Sequence, residues 1–123
     1  NDDFVFAAPE TKIKDAVKKL VKAEASEGYC VGDDKKFIGK FSLQGLLVAP
    51  QLASLKVHLI TEPVVLNHDA SIAQAMEVAN HFVGETIPVI NHENGQIVGV
   101  VSEGDIFGAY LTTQSRVRDL EHN

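Results

Sequence analysis

The residues best suited to chemistry in this chain sit in the segment "IVGVVSEGDIF", Ile97 to Phe107, where Ser102 and Asp105 stand three apart. A hydroxyl and a carboxylate at that spacing, where a strand-like apolar run gives way to a helix start, can serve two purposes. The pair can cap the helix, its oxygens accepting from the orphan amides of the first turn. Alternatively, the carboxylate, the hydroxyl and the helix-terminal amides can hold a ligand. Gly104 between them either lets a ligand approach the backbone or loosens the helix start.

Other chemistries find little support. No G-x-S-x-G elbow, phosphate-binding G-x-x-x-x-G-K-[ST] loop or G-x-G-x-x-G turn is present. The five histidines, His58, His68, His81, His92 and His122, show no H-x3-H pairing, so neither a metal site nor independent catalysis is expected. A single cysteine, Cys30, cannot form an internal disulfide, which points to a reducing, intracellular setting. Within "YCV" it reads either as a small buried apolar residue or as a nucleophile.

Charge and length narrow the partners. The 123 residues carry a net charge of -6, which argues against a nucleic-acid backbone as partner. Lys12, Lys14, Lys18, Lys19 and Lys22 crowd one side of a single predicted helix, as a solvated face or a docking surface. Apolar runs are only a handful of residues long, so no direct membrane insertion and no signal peptide are expected in this segment. A chain of this length can bury roughly two thirds of its unfolded surface, enough for one domain or two small halves.

The elements that must position Ser102 and Asp105 occur twice. "FIGKFSLQGLL" (Phe37 to Leu47) aligns with "IVGVVSEGDIF" without a gap, placing Gly39 on Gly99 and Ser42 on Ser102. Upstream, "TKIKDAVKKLV" lies over "ASIAQAMEVAN", with Ile13 on Ile72 and Ala16 on Ala75. Ile13, Ala16, Val17, Leu20 and Val21 form the apolar stripe of an amphipathic helix, and Ile72, Ala75, Met76, Ala79 and Val83 repeat it. Thr11, and Asp69 or Ser71, occupy the positions of N-caps.

Short strand-like runs, "FVF" and "PVVL", precede the two helices. A strand, a turn and a second strand follow each helix. In the second half these are "TIPVI", "NHENG" and "QIVGVV", with Asn94-Gly95 predicted as a positive-φ pair. The first half offers "GYCV", Gly32 to Lys35 and "KFIGKF" before a helix that Pro50 should end. Strand, helix, strand, strand, helix is thus written twice in an α/β (α+β) chain. The expected bounds are 1–52 for the first repeat, 53–62 for a linker, 63–112 for the second repeat and 113–123 for a tail. Halves this small are expected to pack sheet to sheet about a pseudo-twofold axis, leaving clefts at the seam.

The duplicated order, "IPVI" (Ile87 to Ile90) and "IVGVVSEGDIF" together resemble the tandem cystathionine-beta-synthase (CBS) domain, or Bateman module, from about Phe4 to Leu111. The resemblance implies a regulatory module that binds an adenosine-containing ligand, AMP, ADP, ATP or S-adenosylmethionine, and adjusts an attached or partner enzyme, channel or transporter. It implies a homodimer and a cytoplasmic location. Carried over, Asp105 holds the ribose hydroxyls, and Ser102 with Gly104 and the helix start approaches the phosphates. Val5, Ala25 and Ser26 of the opposite half would flank the adenine, or else serve ordinary packing. "GDIFGAYL" and the residues after it resemble the close of CBS pairs in chloride-channel-type transporters.

Two departures from the family pattern shape the expectation. Ser42 is kept in the first repeat, but Gly45 stands where the carboxylate belongs. The second cleft, around Ser42, Val64 and Thr86, is therefore expected to be weak or empty, and Glu85 would repel a phosphate there. Arginines occur only at 116 and 118, leaving Lys40, Lys56 and His58 as candidate cations. Such thin positive charge favours AMP, adenosine or S-adenosylmethionine over ATP. The competing reading is a ligand-free module kept for dimerisation or interaction.

Overall fold

In the computed structural model the described residues are 4–60, 62–82 and 84–121, with side chains described to residue 114. Val83, which closes the predicted second stripe, and His122 lie outside them, as do the side chains of Arg116 and Arg118. The chain divides into two compact units. One comprises 1–63 with 92–97, the other 64–91 with 98–123.

In the first unit, β1 (Phe6–Ala7) pairs parallel with β2 (Glu27–Val31), which pairs antiparallel with β3 (Phe37–Ser42). Between β1 and β2 runs α1 (Ile13–Ala23), and α2 (Leu43–Leu47) follows β3. The predicted stripe is real: Ile13, Ala16 and Leu20 are fully buried and join Val5, Cys30, Phe41, Leu46 and Leu55 in one core. Val21, at the end of that stripe, is instead 60% exposed.

Thr11 does not cap α1. Lys12 takes the cap position, and no side chain bonds the first turn. The orphan amides go to the backbone of a later segment instead, Ile13 N to Ala53 O (3.0 Å) and Lys14 N to Gln51 O (2.9 Å). A backbone acceptor supplied by tertiary structure makes a side-chain cap unnecessary. Helix α2 ends at Leu47, three residues before Pro50, as its missing amide requires.

The second unit repeats the plan. β4 (Leu66–Asn67) pairs parallel with β5 (Thr86–Asn91), and β6 (Gln96–Ser102) completes the sheet in the order β4-β5-β6. α3 (Ile72–Asn80) opens on Ser71, whose hydroxyl accepts from Gln74 N at 3.1 Å while the Gln74 side chain accepts from Ser71 N at 2.9 Å. Ser71, and not Asp69, is thus the cap, in a reciprocal capping box. Leu66, Ala75, Phe82, Ile87 and Ile106 form the second core. α4 (Glu103–Glu121) runs on through residues expected to be a tail.

The turn before β6 departs from expectation. Only Gly95 has positive φ (+78°), and the Asn94 side chain accepts from Gln96 N at 2.9 Å. Asn94 therefore contributes its side-chain oxygen to the turn in place of a left-handed backbone.

Candidate functional site

Ser102 ends β6 and α4 starts at Glu103, so the hydroxyl of Ser102 meets the first turn of a helix. Its Oγ accepts from Asp105 N at 3.0 Å, and Asp105 Oδ2 accepts from Ser102 N at 2.9 Å. This is a complete capping box built from a Ser and an Asp, closing two orphan donors reciprocally. The Ser102 N–H, and then its hydroxyl, hold the exposed Asp105 carboxyl below the usual carboxylate range. A group whose folded pKa is lowered stabilises above its unfolded pKa, and that contribution is lost as pH falls through the folded value. Asp105→Ala is accordingly expected to lower the melting point at neutral pH and to converge with the native chain in strong acid.

The first unit carries half of this device. Ser42 Oγ accepts from Gly45 N at 3.0 Å, and no carboxylate returns the bond. A Cβ added at Gly45 would meet Ser42 Oγ at 3.0 Å, a tight contact that the second unit accommodates with Asp105 in the same place. Gly45→Asp should therefore complete a second box and stabilise by about 0.5–1 kcal/mol, read as a raised urea midpoint at unchanged slope.

Beside Asp105 lies a niche of ≈160 Å3 lined by Leu66, Ser71, Ile72, Val101 and Ile106. It is smaller than the ~300–1,000 Å3 of typical ligand pockets, so by itself it suits one ring or a short group. On the neighbouring side, Gly104 and Phe107 line a hollow of ≈350 Å3 with Met76 and Ala79. A Cβ at Gly104 would meet only Ser102 Oγ, at 3.6 Å, so the glycine leaves space at the helix start without a packing need for it.

The first turn of α4 carries Glu103 as well as Asp105. Two carboxylates there offset the positive end of the helix dipole, so the site suits hydroxyl donors better than a multiply charged phosphate. Nor does Lys40 supply countercharge. It is 5% exposed and its Nζ pairs with Glu27 Oε2 at 2.9 Å. Lys56 and His58 lie exposed on a short 3-10 turn, Leu55–His58.

The predicted residues divide between the units. Ser102, Gly104 and Asp105 belong to the second with Val64, which is 38% exposed, and half-buried Thr86. Val5, Ala25, Ser26 and Ser42 belong to the first. There Ser26 O accepts from Leu43 N at 2.9 Å, which sets Ser26 beside the Ser42 cap. Val5 is 5% exposed and its carbonyl accepts from Tyr29 N at 2.9 Å. Ala25 packs against the first core. Sequence reasoning missed Glu27 as the partner of Lys40. The signal was available in the repeat, because Glu27 and Lys40 align with Ile87 and Val100 at the same offset of 60 that joins Ser42 to Ser102. The nucleophile reading of Cys30 fails: the thiol is fully buried, and burial, with the nearby Glu10 charge, pushes its pKa up to about 11.

The CBS domain family matches residues 55–112 of the chain. No curated protein sequence matches it significantly. Among solved structures, it is similar to the CBS pair domain of a putative Mg2+ transporter from Shewanella oneidensis MR-1, with a TM-score of 0.81 at 15% identity. That match covers 90% of this chain and 66% of the other. The cytosolic domain of the Mg2+ channel MgtE, in complex with ATP, gives a TM-score of 0.75 at 20% identity over 87% of this chain and 45% of its own. CBSX2 of Arabidopsis thaliana, in complex with AMP, gives 0.73 at 17% identity, with 90% of each chain covered. The chain thus spans about two thirds of the first of these and under half of the second. Among the described residues, no helix is long and apolar enough to cross a membrane.

Proposed function

We propose that this chain, which matches the CBS domain family over residues 55–112 and has the fold of CBS pair domains, is a regulatory module that senses an adenosine-containing ligand through Asp105 and adjusts an attached or partner protein. The single observation that carries the reading is the carboxylate itself. The Ser42 cap holds with Gly45, so capping alone does not call for the Asp at 105. In the box Asp105 uses Oδ2, and the charged group is exposed at a helix start where a ribose diol can be held. Solved relatives of the same fold are recorded with AMP and with ATP.

Within this reading Ser102 and the open backbone at Gly104 face the ligand's remaining polar groups. Val5, Ala25 and Ser26 are assigned to the adenine side by likeness to the family. The carboxylates at the α4 start, and the commitment of Lys40 to Glu27, favour a ligand of low negative charge: AMP or S-adenosylmethionine ahead of ADP and ATP. The second site, at Ser42, Val64 and Thr86, lacks its carboxylate and is weak. The regulated protein is proposed to be a transporter or channel, as in the Mg2+ transporter relatives. The chloride-channel-type likeness rests on "GDIFGAYL" alone and gains no support from those relatives. A module of this kind acts by shifting the populations of two arrangements, which requires the ligand to bind one of them more tightly.

The competing reading, a ligand-free dimerisation module, is favoured by one observation: Leu47, Val48 and Leu52 are 59%, 88% and 70% exposed. Thermal melting separates the two. A ligand that binds the native state at about 100 times its Kd stabilises by about 2.7 kcal/mol. AMP or S-adenosylmethionine at millimolar concentration is expected to raise the midpoint by several degrees. No rise with any of the four adenosine ligands would leave the dimerisation module standing.

A further inference from the structure

The chain's negative excess is unevenly placed. From residue 64 onward two arginines face eight carboxylates, whereas before it nine lysines balance nine carboxylates. Five of those nine lysines, Lys12, Lys14, Lys18, Lys19 and Lys22, lie exposed on α1 and its cap. Among the described residues no carboxylate lies within ion-pair distance of any of the five. At the rise of an α-helix the strip from Lys12 to Lys22 runs about 15 Å.

Its C-terminal end meets an aromatic groove. Lys19 Nζ donates to Phe6 O at 3.2 Å, on β1, the edge strand of its sheet. Phe4, Phe6, Lys19, Lys22 and Glu24 line the adjoining cavity of ≈510 Å3, and the two phenylalanines are 38% and 43% exposed. A lysine-rich ridge, with Asp15 the one carboxylate of α1, that ends in a mixed hollow walled in part by two partly exposed phenylalanines suits an occupant with spread negative charge and one apolar anchor.

We propose that the α1 face docks an acidic polypeptide segment of a partner protein, with one apolar side chain entering the Phe4–Phe6 groove. Lysines strung along about 15 Å do not converge on a point, so a single small anion engages only one or two of them. The net charge of -6 opposes approach to a nucleic-acid backbone or an extended anionic bilayer. A short acidic segment is governed by the local strip, because charges beyond a Debye length of about 8 Å are screened. This surface is independent of the adenosine reading.

The test is fluorescence anisotropy of the full chain with a labelled probe peptide of about ten Asp and Glu residues around one central Leu. Binding that weakens about tenfold between low and high salt is expected. Lys14→Glu/Lys18→Glu/Lys22→Glu should weaken it by at least about tenfold, while Lys35→Glu/Lys36→Glu/Lys56→Glu, with the same charge change elsewhere, leaves it within about twofold. Replacing the probe's Leu by Ser should cost several-fold, which isolates the groove without touching the fold. Equal loss in both triple variants, or no loss in either, overturns the proposal. So does tighter binding of the native chain to anionic phosphatidylserine vesicles than to the peptide. Self-association seen by sedimentation and abolished only by the α1 variant would assign the face to a second copy and overturn the separate partner.

Discussion

Glu27→Ala is expected to destabilise the chain by roughly 3 kcal/mol, lowering the melting point by on the order of 10 °C. The substitution leaves the Lys40 ammonium, 5% exposed, without the carboxylate that pairs with it at 2.9 Å. The low end of the range for broken buried pairs applies because the Glu27 side chain keeps 16% of its exposure. The repeat supplies the control. Ile87 and Val100 stand at the matching positions of the second unit, where Ile87 is fully buried, so the same scaffold is built there without charge. Glu27→Ile/Lys40→Val should accordingly recover most of the loss, since a buried ion pair is often no more stable than its apolar replacement. Denaturant melts of the single and double variants read this directly, and a double variant as unstable as Glu27→Ala would sink it.

The second large effect concerns the ligand. Asp105→Asn keeps an oxygen that can accept from Ser102 N, so most of the cap survives. It removes the charge that makes bonds to two ribose hydroxyls strong. At about 1.5 kcal/mol or more for each charge-assisted bond, affinity for AMP should fall by on the order of 100-fold. Asp105→Ala should remove the carboxylate half of the box together with the ligand, while Ser102 Oγ still accepts from the backbone N–H of residue 105. A variant that loses its cap but keeps its ligand response would show that Asp105 serves the fold alone.

The sequence is most legible where the physics is local. The α1 stripe follows from residues a few positions apart and appears in the structure as far as Leu20, and of the two caps that the spacing allows, Asp69 and Ser71, the structure takes Ser71. The Ser102–Asp105 spacing likewise gives the box seen there. Local spacing misleads where distant backbone intervenes. Thr11 is no cap because the carbonyls of Gln51 and Ala53 reach the α1 amides first, and sequence spacing carries no sign of a segment about 40 residues away. Asn94 suggests a left-handed backbone by its residue type, whereas its side chain makes the turn. Glu27 and Lys40 lie on different strands, so only the comparison of repeats could have exposed them. For the site, the capping half of its chemistry is readable from the residues alone. The weak countercharge at the α4 start emerges only with Glu103 placed beside Asp105 in the first turn and Lys40 committed to Glu27.

The central claim, that Asp105 holds the ribose of an adenosine ligand at one good site per chain, is tested most directly by calorimetric titration of the native chain and of Asp105→Asn with AMP and with ATP. Saturable binding of one AMP per chain, tighter than ATP and weakened on the order of 100-fold by the substitution, is the predicted result. AMP binding of equal affinity in both proteins, or ATP binding tightest, would contradict it.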